Sequence, residues 1–221
     1  MTHTIYGGTM IKGIFFDLDG TVFDTQWDLL DVFTRIFTDA GLPFDPANLK
    51  IGPPLTEYIR MLKPEITQPE IDAVIAQFRI FYDQSAFPKT VLYPGIREML
   101  EKFTAEGRLL FLVTNKRIAP TRKIVELKDV DRYFKAVCGC DSFPGRKKSD
   151  NIRTLMEENG LEPAECVMVG DTCLDVGAGH TAGIRAIGVT WGYDANGELA
   201  ASGPDAVANT AAELVELVEA M

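Results

Sequence analysis

The sequence predicts an α/β fold: a doubly wound parallel sheet with a small α-helical domain inserted after the first strand. Three observations predict it. Short apolar runs alternate with amphipathic segments along most of the chain. Those runs lack in–out alternation, as strands covered on both faces do. Between about Thr25 and Leu92 the rhythm changes to helical periodicity alone.

Ile11–Phe16, Leu109–Val113, Val167–Val169 and Ile184–Val189 are the strand candidates, each short and mostly bounded by turn-forming residues. Helices are expected over Ile96–Glu106, stopped by Gly107, over Pro120–Lys128, opened by a proline, and over Asp150–Asn159, stopped by Gly160. Ala211–Ala220 closes the chain with Leu214, Val215 and Val218 on one face. In the insertion, Trp27–Ala40 aligns Leu29, Phe33, Ile36, Phe37 and Ala40, and Gly41 ends it. Pro69–Tyr82 aligns Ile71, Val74, Ile75, Phe78 and Tyr82, and no strand is expected between the two helices. The chain returns to the sheet near Tyr93-Pro94-Gly95, so residues 11–24 and 93–221 form the core and 25–92 a helical cap domain. No internal repeat or low-complexity segment interrupts this plan.

The 221 residues, 46% hydrophobic and 24% charged, suffice for one well-buried domain with a modest insertion. A formal net charge of −10 disfavours nucleic acid and anionic membranes as partners, and no basic stripe offsets it. No apolar run approaches the ~20 residues that cross a bilayer. Met1–Met10 lacks the pattern of a signal peptide and reads as a short leader, so a cytoplasmic location is expected. Cys138, Cys140, Cys166 and Cys173 lack zinc-site spacing and are expected as reduced thiols. Any anionic substrate must therefore meet local positive charge.

The first strand runs into Asp17-Leu18-Asp19-Gly20-Thr21. Two carboxylates two residues apart, where open α/β sheets bind ligands, can divide the labour: one attacks, the other serves as acid and base. Gly20 permits a sharp turn and Thr21 offers a hydroxyl to an oxyanion. Alone, such a pair is as well explained by a turn or helix cap. Further candidates occur at the matching ends of later strand–helix units: Thr114-Asn115, the pair Lys147-Lys148, and Asp171 with Asp175 four residues on. Carboxylates that can hold Mg²⁺, beside hydroxyl and cationic donors for phosphate, make a phosphoryl-transfer constellation.

These stretches together resemble the haloacid dehalogenase superfamily, in its phosphoglycolate phosphatase-like branch with a helical cap. Tyr93-Pro94-Gly95 and the segment from Ala182-Gly183-Ile184 to Trp191-Gly192 add to the resemblance, which spans Lys12 to the last helix. It implies that Asp17 attacks phosphorus to form an aspartyl-phosphate, and that Asp19 protonates the leaving oxygen and then deprotonates water. It implies Mg²⁺ held by the Asp17 and Asp171 carboxylates and the Asp19 backbone carbonyl, with Asp175 acting through water or the lysine. Thr114 would bond a phosphate oxygen, supported by Asn115, and Thr21 would add a further donor. The family lysine is commonly followed by proline; here the chain reads Arg146-Lys147-Lys148-Ser149-Asp150, so Lys148 is the assignment and Lys147 the alternate. Asp19 must be protonated to donate, and its sequence neighbours are like charges, which favours the neutral acid.

Gly177-Ala178-Gly179-His180-Thr181-Ala182-Gly183 resembles a dinucleotide loop but falls within a predicted helix. His180 and His3 lack ligand partners at useful spacing, and Trp27, Phe33 and Phe37 read mainly as core. The expected substrate is a small phosphorylated metabolite: phosphoglycolate, a nucleoside monophosphate or a sugar phosphate. A sugar-phosphate mutase, a 5′-nucleotidase or a pyrophosphatase on the same scaffold are alternatives. A phospho-acceptor signalling domain would need no insertion, and a silent binding protein would not need every catalytic residue type. A monomer or loose homodimer is the default.

Overall fold

The computed structural model of the chain describes residues 10–48, 51, 55–194 and 197–221. His3 and the leader, save Met10, lie outside the described residues. Six parallel strands form the sheet: β1 (Gly13–Phe16), β4 (Leu109–Val113), β5 (Phe134–Cys138), β6 (Cys166–Gly170), β7 (Arg185–Val189) and β8 (Ala206–Ala208). Their order is β5-β4-β1-β6-β7-β8. From β1 the chain steps outward one way through β4 to β5, then crosses back and steps the other way from β6. That places the topological switch point between β1 and β6, where such sheets open a crevice at the carboxyl edge.

Side chains of β1 leave the sheet alternately and enter two cores. Ile14 and Phe16 pack with α4 (Ile96–Ala105), α5 (Ile118–Leu127) and α9 (Ala211–Ala220). Phe15 packs on the other face with α6 (Lys148–Glu158), α7 (Cys173–Ala182) and α8 (Glu198–Ala201), stacking on Phe111 at 4.7 Å between ring centroids. Full burial on both faces explains why the central strands carry no polar alternation. The edge strands β5 and β8 were not expected from the sequence. Each is only partly buried; β5 is interrupted by Lys135 and β8 is three residues long, so neither leaves an apolar run long enough to read as a strand.

A two-stranded antiparallel ribbon, β2 (Phe23–Asp24) with β3 (Val91–Leu92), brackets three helices: α1 (Gln26–Asp39), α2 (Leu55–Leu62) and α3 (Gln68–Gln84). Leu29, Phe33, Ile36 and Phe37 of α1 are buried, and Phe33 stacks on Phe37 at 5.1 Å. Trp27, expected in the core, is instead 50% exposed. It sits two residues before Leu29 on α1, so the turn that buries Leu29 directs Trp27 outward. The unexpected α2 is eight residues long and buries only Tyr58 and Ile59. Pro120 falls in the first turn of α5, where its missing N–H costs no intrahelical bond. No helix among the described residues is long and apolar enough to cross a membrane. All four cysteines are free thiols.

Candidate active site

Because β1 lies between β4 and β6, their three exits are adjacent, and each carries a residue singled out from the sequence. Asp17 leaves β1 with its N–H donating to the Val169 carbonyl at 2.9 Å, and Thr114 leaves β4 with its N–H on the Cys138 carbonyl at 3.0 Å. Asp171 leaves β6. Asp175 sits in the first turn of α7, where its Oδ2 accepts from the N–H (3.1 Å) and hydroxyl (2.6 Å) of the N-cap Thr172. Lys148 is the first residue of α6.

The Lys148 ammonium lies 2.6 Å from Asp17 Oδ1 and 2.6 Å from Asp175 Oδ1, with its side chain 6% exposed. Burial works against that charge, but the two carboxylates outweigh it and hold the lysine pKa above its ordinary value. Asp17, Asp171 and Asp175 are buried and each brings one oxygen within 4.8 Å of the others. Burial is the largest influence on Asp17 and pushes its carboxyl up to about 7; Lys148 opposes this, and Asp175 and Asp19 add to it. Asp171 is raised well above the carboxylate range, first by burial, then by Asp175 and Asp17. One ammonium against three carboxylates leaves the fully ionised cluster two charges negative. A buried, all-oxygen, doubly anionic set fits a hard divalent cation.

Asp171 is tightly held: Thr21 donates to its Oδ1 at 3.0 Å and the Tyr193 N–H to its Oδ2 at 2.8 Å. Gly20 makes the turn behind it, with φ +82°, and a Cβ there would fall 2.1 Å from Asp171 Oδ2. Asp19 accepts from the Thr25 hydroxyl at 2.5 Å and the Lys116 ammonium at 3.0 Å, both on Oδ1. Lys116 in turn donates to the Tyr82 hydroxyl on α3 at 2.8 Å. Above these groups opens a cavity of about 340 Å³. Its sheet-edge side carries Asp17, Asp19, Thr114, Asn115, Lys116, Lys148 and Asp175; Leu29, Phe33, Leu55, Ile75, Phe78, Arg79 and Tyr82 of α1–α3 contribute the opposite wall.

Residues 14–189 match the family model of haloacid dehalogenase-like hydrolases. The chain belongs to that family. A phosphoglycolate phosphatase of Vibrio vulnificus is 34% identical over 221 aligned positions, covering 94% of this chain and 96% of the relative. One from Photobacterium profundum is 30% identical, covering 95% and 96%. The crystal structure of a predicted phosphoglycolate phosphatase from Haemophilus somnus superimposes with a TM-score of 0.85 at 30% identity, covering 96% and 99%. This haloacid dehalogenase-like hydrolase is accordingly an enzyme of the phosphatase kind.

The hydrolase brings Asp17, Asp19, Asp175, Thr114, Asn115 and Lys148 around one opening, with Asp171 fully buried behind it within 4.8 Å of Asp17 and Asp175. Thr21, expected to meet phosphate, is 1% exposed and spends its hydroxyl on Asp171. Of the two lysines, Lys148 is buried in the cluster while Lys147 is the exposed N-cap of α6. His180 is exposed and pairs with Asp205 at 3.0 Å, and the glycine-rich stretch is α7, whose Gly179 packs close to Met168.

Sequence reasoning missed Lys116, Tyr82 and Tyr193. Like charges alone were expected beside Asp19, yet a cation lies against it. Burial opposes the charge on Lys116, but Asp19 and Tyr82 overcome it and raise its pKa. The available signal was adjacency, since Lys116 directly follows Thr114-Asn115 and Tyr193 directly follows Trp191-Gly192. Tyr193 ties the site together: its hydroxyl accepts from the Thr25 and Gln26 N–H groups at 2.7 and 3.1 Å and donates to Asp24 at 3.0 Å.

Proposed function

We propose that this hydrolase is a Mg²⁺-dependent phosphatase that cleaves small-molecule phosphate monoesters, phosphoglycolate-like ones first, through an aspartyl-phosphate on Asp17. The observation that carries the reading is the buried carboxylate cluster: Asp17 shares one ammonium with Asp175 and lies beside Asp171, at the switch point of the sheet.

In the first half-reaction an Asp17 oxygen attacks phosphorus. The ester P–O bond breaks, and the leaving oxygen takes a proton from Asp19. In the second, Asp19 takes a proton from water, whose oxygen attacks the same phosphorus. The bond to Asp17 breaks, inorganic phosphate leaves and the carboxylate is restored. Asp19 has Oδ1 engaged by Thr25 and Lys116, which fixes the carboxyl's orientation for both transfers. Thr114 and Asn115 donate to the phosphate oxygens, and Lys148 both restrains Asp17 and meets negative charge. Thr21 serves by holding Asp171. The Asp17 and Asp171 carboxylates and the Asp19 backbone carbonyl would hold Mg²⁺, with Asp175 completing the acidic set, and the ion would supply the positive charge that a phosphate dianion needs beside these carboxylates.

Residues 25–92 act as a cap over the core of 11–24 and 93–221, and closing it excludes bulk water and brings cap side chains to the leaving group. The paired β2 and β3 support this, since the insertion enters and leaves through one narrow ribbon. A cytoplasmic enzyme, monomeric or loosely dimeric, fits the acidic composition and small substrate.

The test is phosphate release from a panel of small esters, with Mg²⁺ and with EDTA, by wild type and Asp17→Asn. Metal-dependent release, lost in the folded variant, is expected. Full activity in Asp17→Asn would remove Asp17 as nucleophile, and no release from any ester would sink the phosphatase reading.

A further inference from the structure

Among the described residues, four cationic side chains line the cavity, and three of them have anionic partners. Lys148 is bound to Asp17 and Asp175, and Lys116 to Asp19. Arg117 pairs with Asp83 at 2.6 Å and with Asp141 at 3.3 Å. Arg79, on α3, has neither a hydrogen bond nor an ion pair among the described residues, although it lines the same cavity. Asp83, the carboxylate one helical turn along α3, is already taken by Arg117. The neighbouring Cys140 offers no counter-charge: burial, with help from Asp141, raises its thiol pKa above the ordinary value.

The position of Arg79 relative to the acid–base group matters. Tyr82 reaches Asp19 through Lys116, so this point on α3 stands over the place where the leaving oxygen departs. Arg79 lies three residues before Tyr82, one turn away on the same side of the helix, ~4.5 Å along its axis. A group held by Arg79 is thus a short distance beyond the leaving oxygen, and it must be an acceptor, since a guanidinium offers donors only; a carboxylate, which can take two parallel bonds, suits it best. Phe78 lies beside Arg79, and Phe33 and Leu55 face the same space; Thr56 and Tyr58 also line this wall, but neither carries a charge.

We propose that Arg79 is a specificity-determining residue that binds a second anionic group, a carboxylate in a short-chain phosphate monoester, on the leaving-group side of the scissile bond. The inference rests on the phosphatase reading above and adds the residue that reads the charge of the leaving group. Arg79 selects by charge: esters with an acidic leaving group gain a charge-assisted, two-pronged hydrogen bond that their neutral counterparts cannot make.

The test compares 2-phosphoglycolate with ethyl phosphate, a neutral ester of similar size, in wild type, Arg79→Gln and Arg79→Lys, all with Mg²⁺. The readout is the ratio of kcat/KM for the two esters. Wild type is expected to favour phosphoglycolate, and Arg79→Gln to reduce that ratio by about tenfold or more. Arg79→Lys should recover part of it, because the charge returns without the fork. A binding measurement separates recognition from chemistry. In an Asp17→Asn background, the dissociation constant of phosphoglycolate should rise by a similar factor on Arg79→Gln, while that of ethyl phosphate changes far less. An equal fall for both esters, or an unchanged ratio, would overturn the role of Arg79 and leave the phosphatase standing. Absence of turnover on both esters in wild type would overturn the phosphatase reading and the inference together.

Discussion

Replacing Lys148 by Met removes the one ammonium shared by Asp17 and Asp175, and the structure fixes how large the effect must be. Both contacts are 2.6 Å and the lysine side chain is 6% exposed, so solvent cannot substitute for it. Breaking a buried pair by deleting one partner costs about 3–5 kcal/mol, because the remaining charge is left uncompensated. One term works the other way. Lys148 opens α6, where a cation meets the positive end of the helix, and its removal recovers about 0.3–1 kcal/mol. The net loss is then about 3 kcal/mol, or about 6–12 °C in Tm for a chain of this size.

The loss must also depend on pH. Lys148 opposes the upward shift of Asp17, so without it the carboxyl binds its proton more tightly in the folded state. A folded state that binds more protons than the unfolded one loses stability as pH rises. The penalty should therefore be smallest near pH 5 and largest near pH 8, to order of magnitude. Urea denaturation of metal-free wild type and Lys148→Met at both pH values measures it. Lys147→Met, at an exposed position, is the control and should stay within about 0.5 kcal/mol. A Lys148→Met loss below about 1 kcal/mol, or one independent of pH, would refute the reasoning.

Metal addition gives a second expectation. Folded Asp17 titrates near 7 against an ordinary 3.8, so the metal-free protein holds a proton that the unfolded chain releases, and its stability falls as pH rises through that window. A divalent cation must displace that proton, so the rise in Tm on adding Mg²⁺ should grow from about pH 5 to about pH 8; a rise that shrinks over this range contradicts the cluster as the binding site. Gly20→Ala places a Cβ 2.1 Å from Asp171 Oδ2 at φ +82°, whereas Gly107→Ala, at φ +77°, meets nothing within 4 Å. Urea denaturation should show Gly107→Ala losing about 1 kcal/mol from the backbone alone and Gly20→Ala losing clearly more. Mg²⁺ titration should show weakened affinity only in Gly20→Ala, and equal behaviour of the two would mean that Asp171 tolerates displacement.

The central strands and the large helices were legible because each leaves a local signature. Ile14–Phe16 and Val167–Val169 are apolar throughout, since both faces of the sheet are covered, and the α1 and α3 stripes repeat at helical spacing. The edge strands β5 and β8 were not legible, because a half-covered strand needs no continuous apolar run. Asp17 and Asp171 could be found because they follow strands directly, at positions that the fold class makes functional, and Asp19 and Asp175 lie two and four residues beyond them.

The sequence by itself determined the fold class and marked Asp17, Asp19, Asp171, Asp175 and the Lys147-Lys148 pair as candidates, all from residues read relative to their own element. Pairing across elements was decided only in three dimensions. The choice of Lys148 over Lys147 turned on which lysine the start of α6 directs into the cluster. Thr21 was drawn to Asp171, 150 residues away, and Lys116 joined Asp19 to Tyr82 of α3. Arg79 has no ion pair among the described residues, and Asp83, one turn along α3, is taken by Arg117. A side chain's charge is local information, but its partner depends on which distant strand or helix the chain returns beside it.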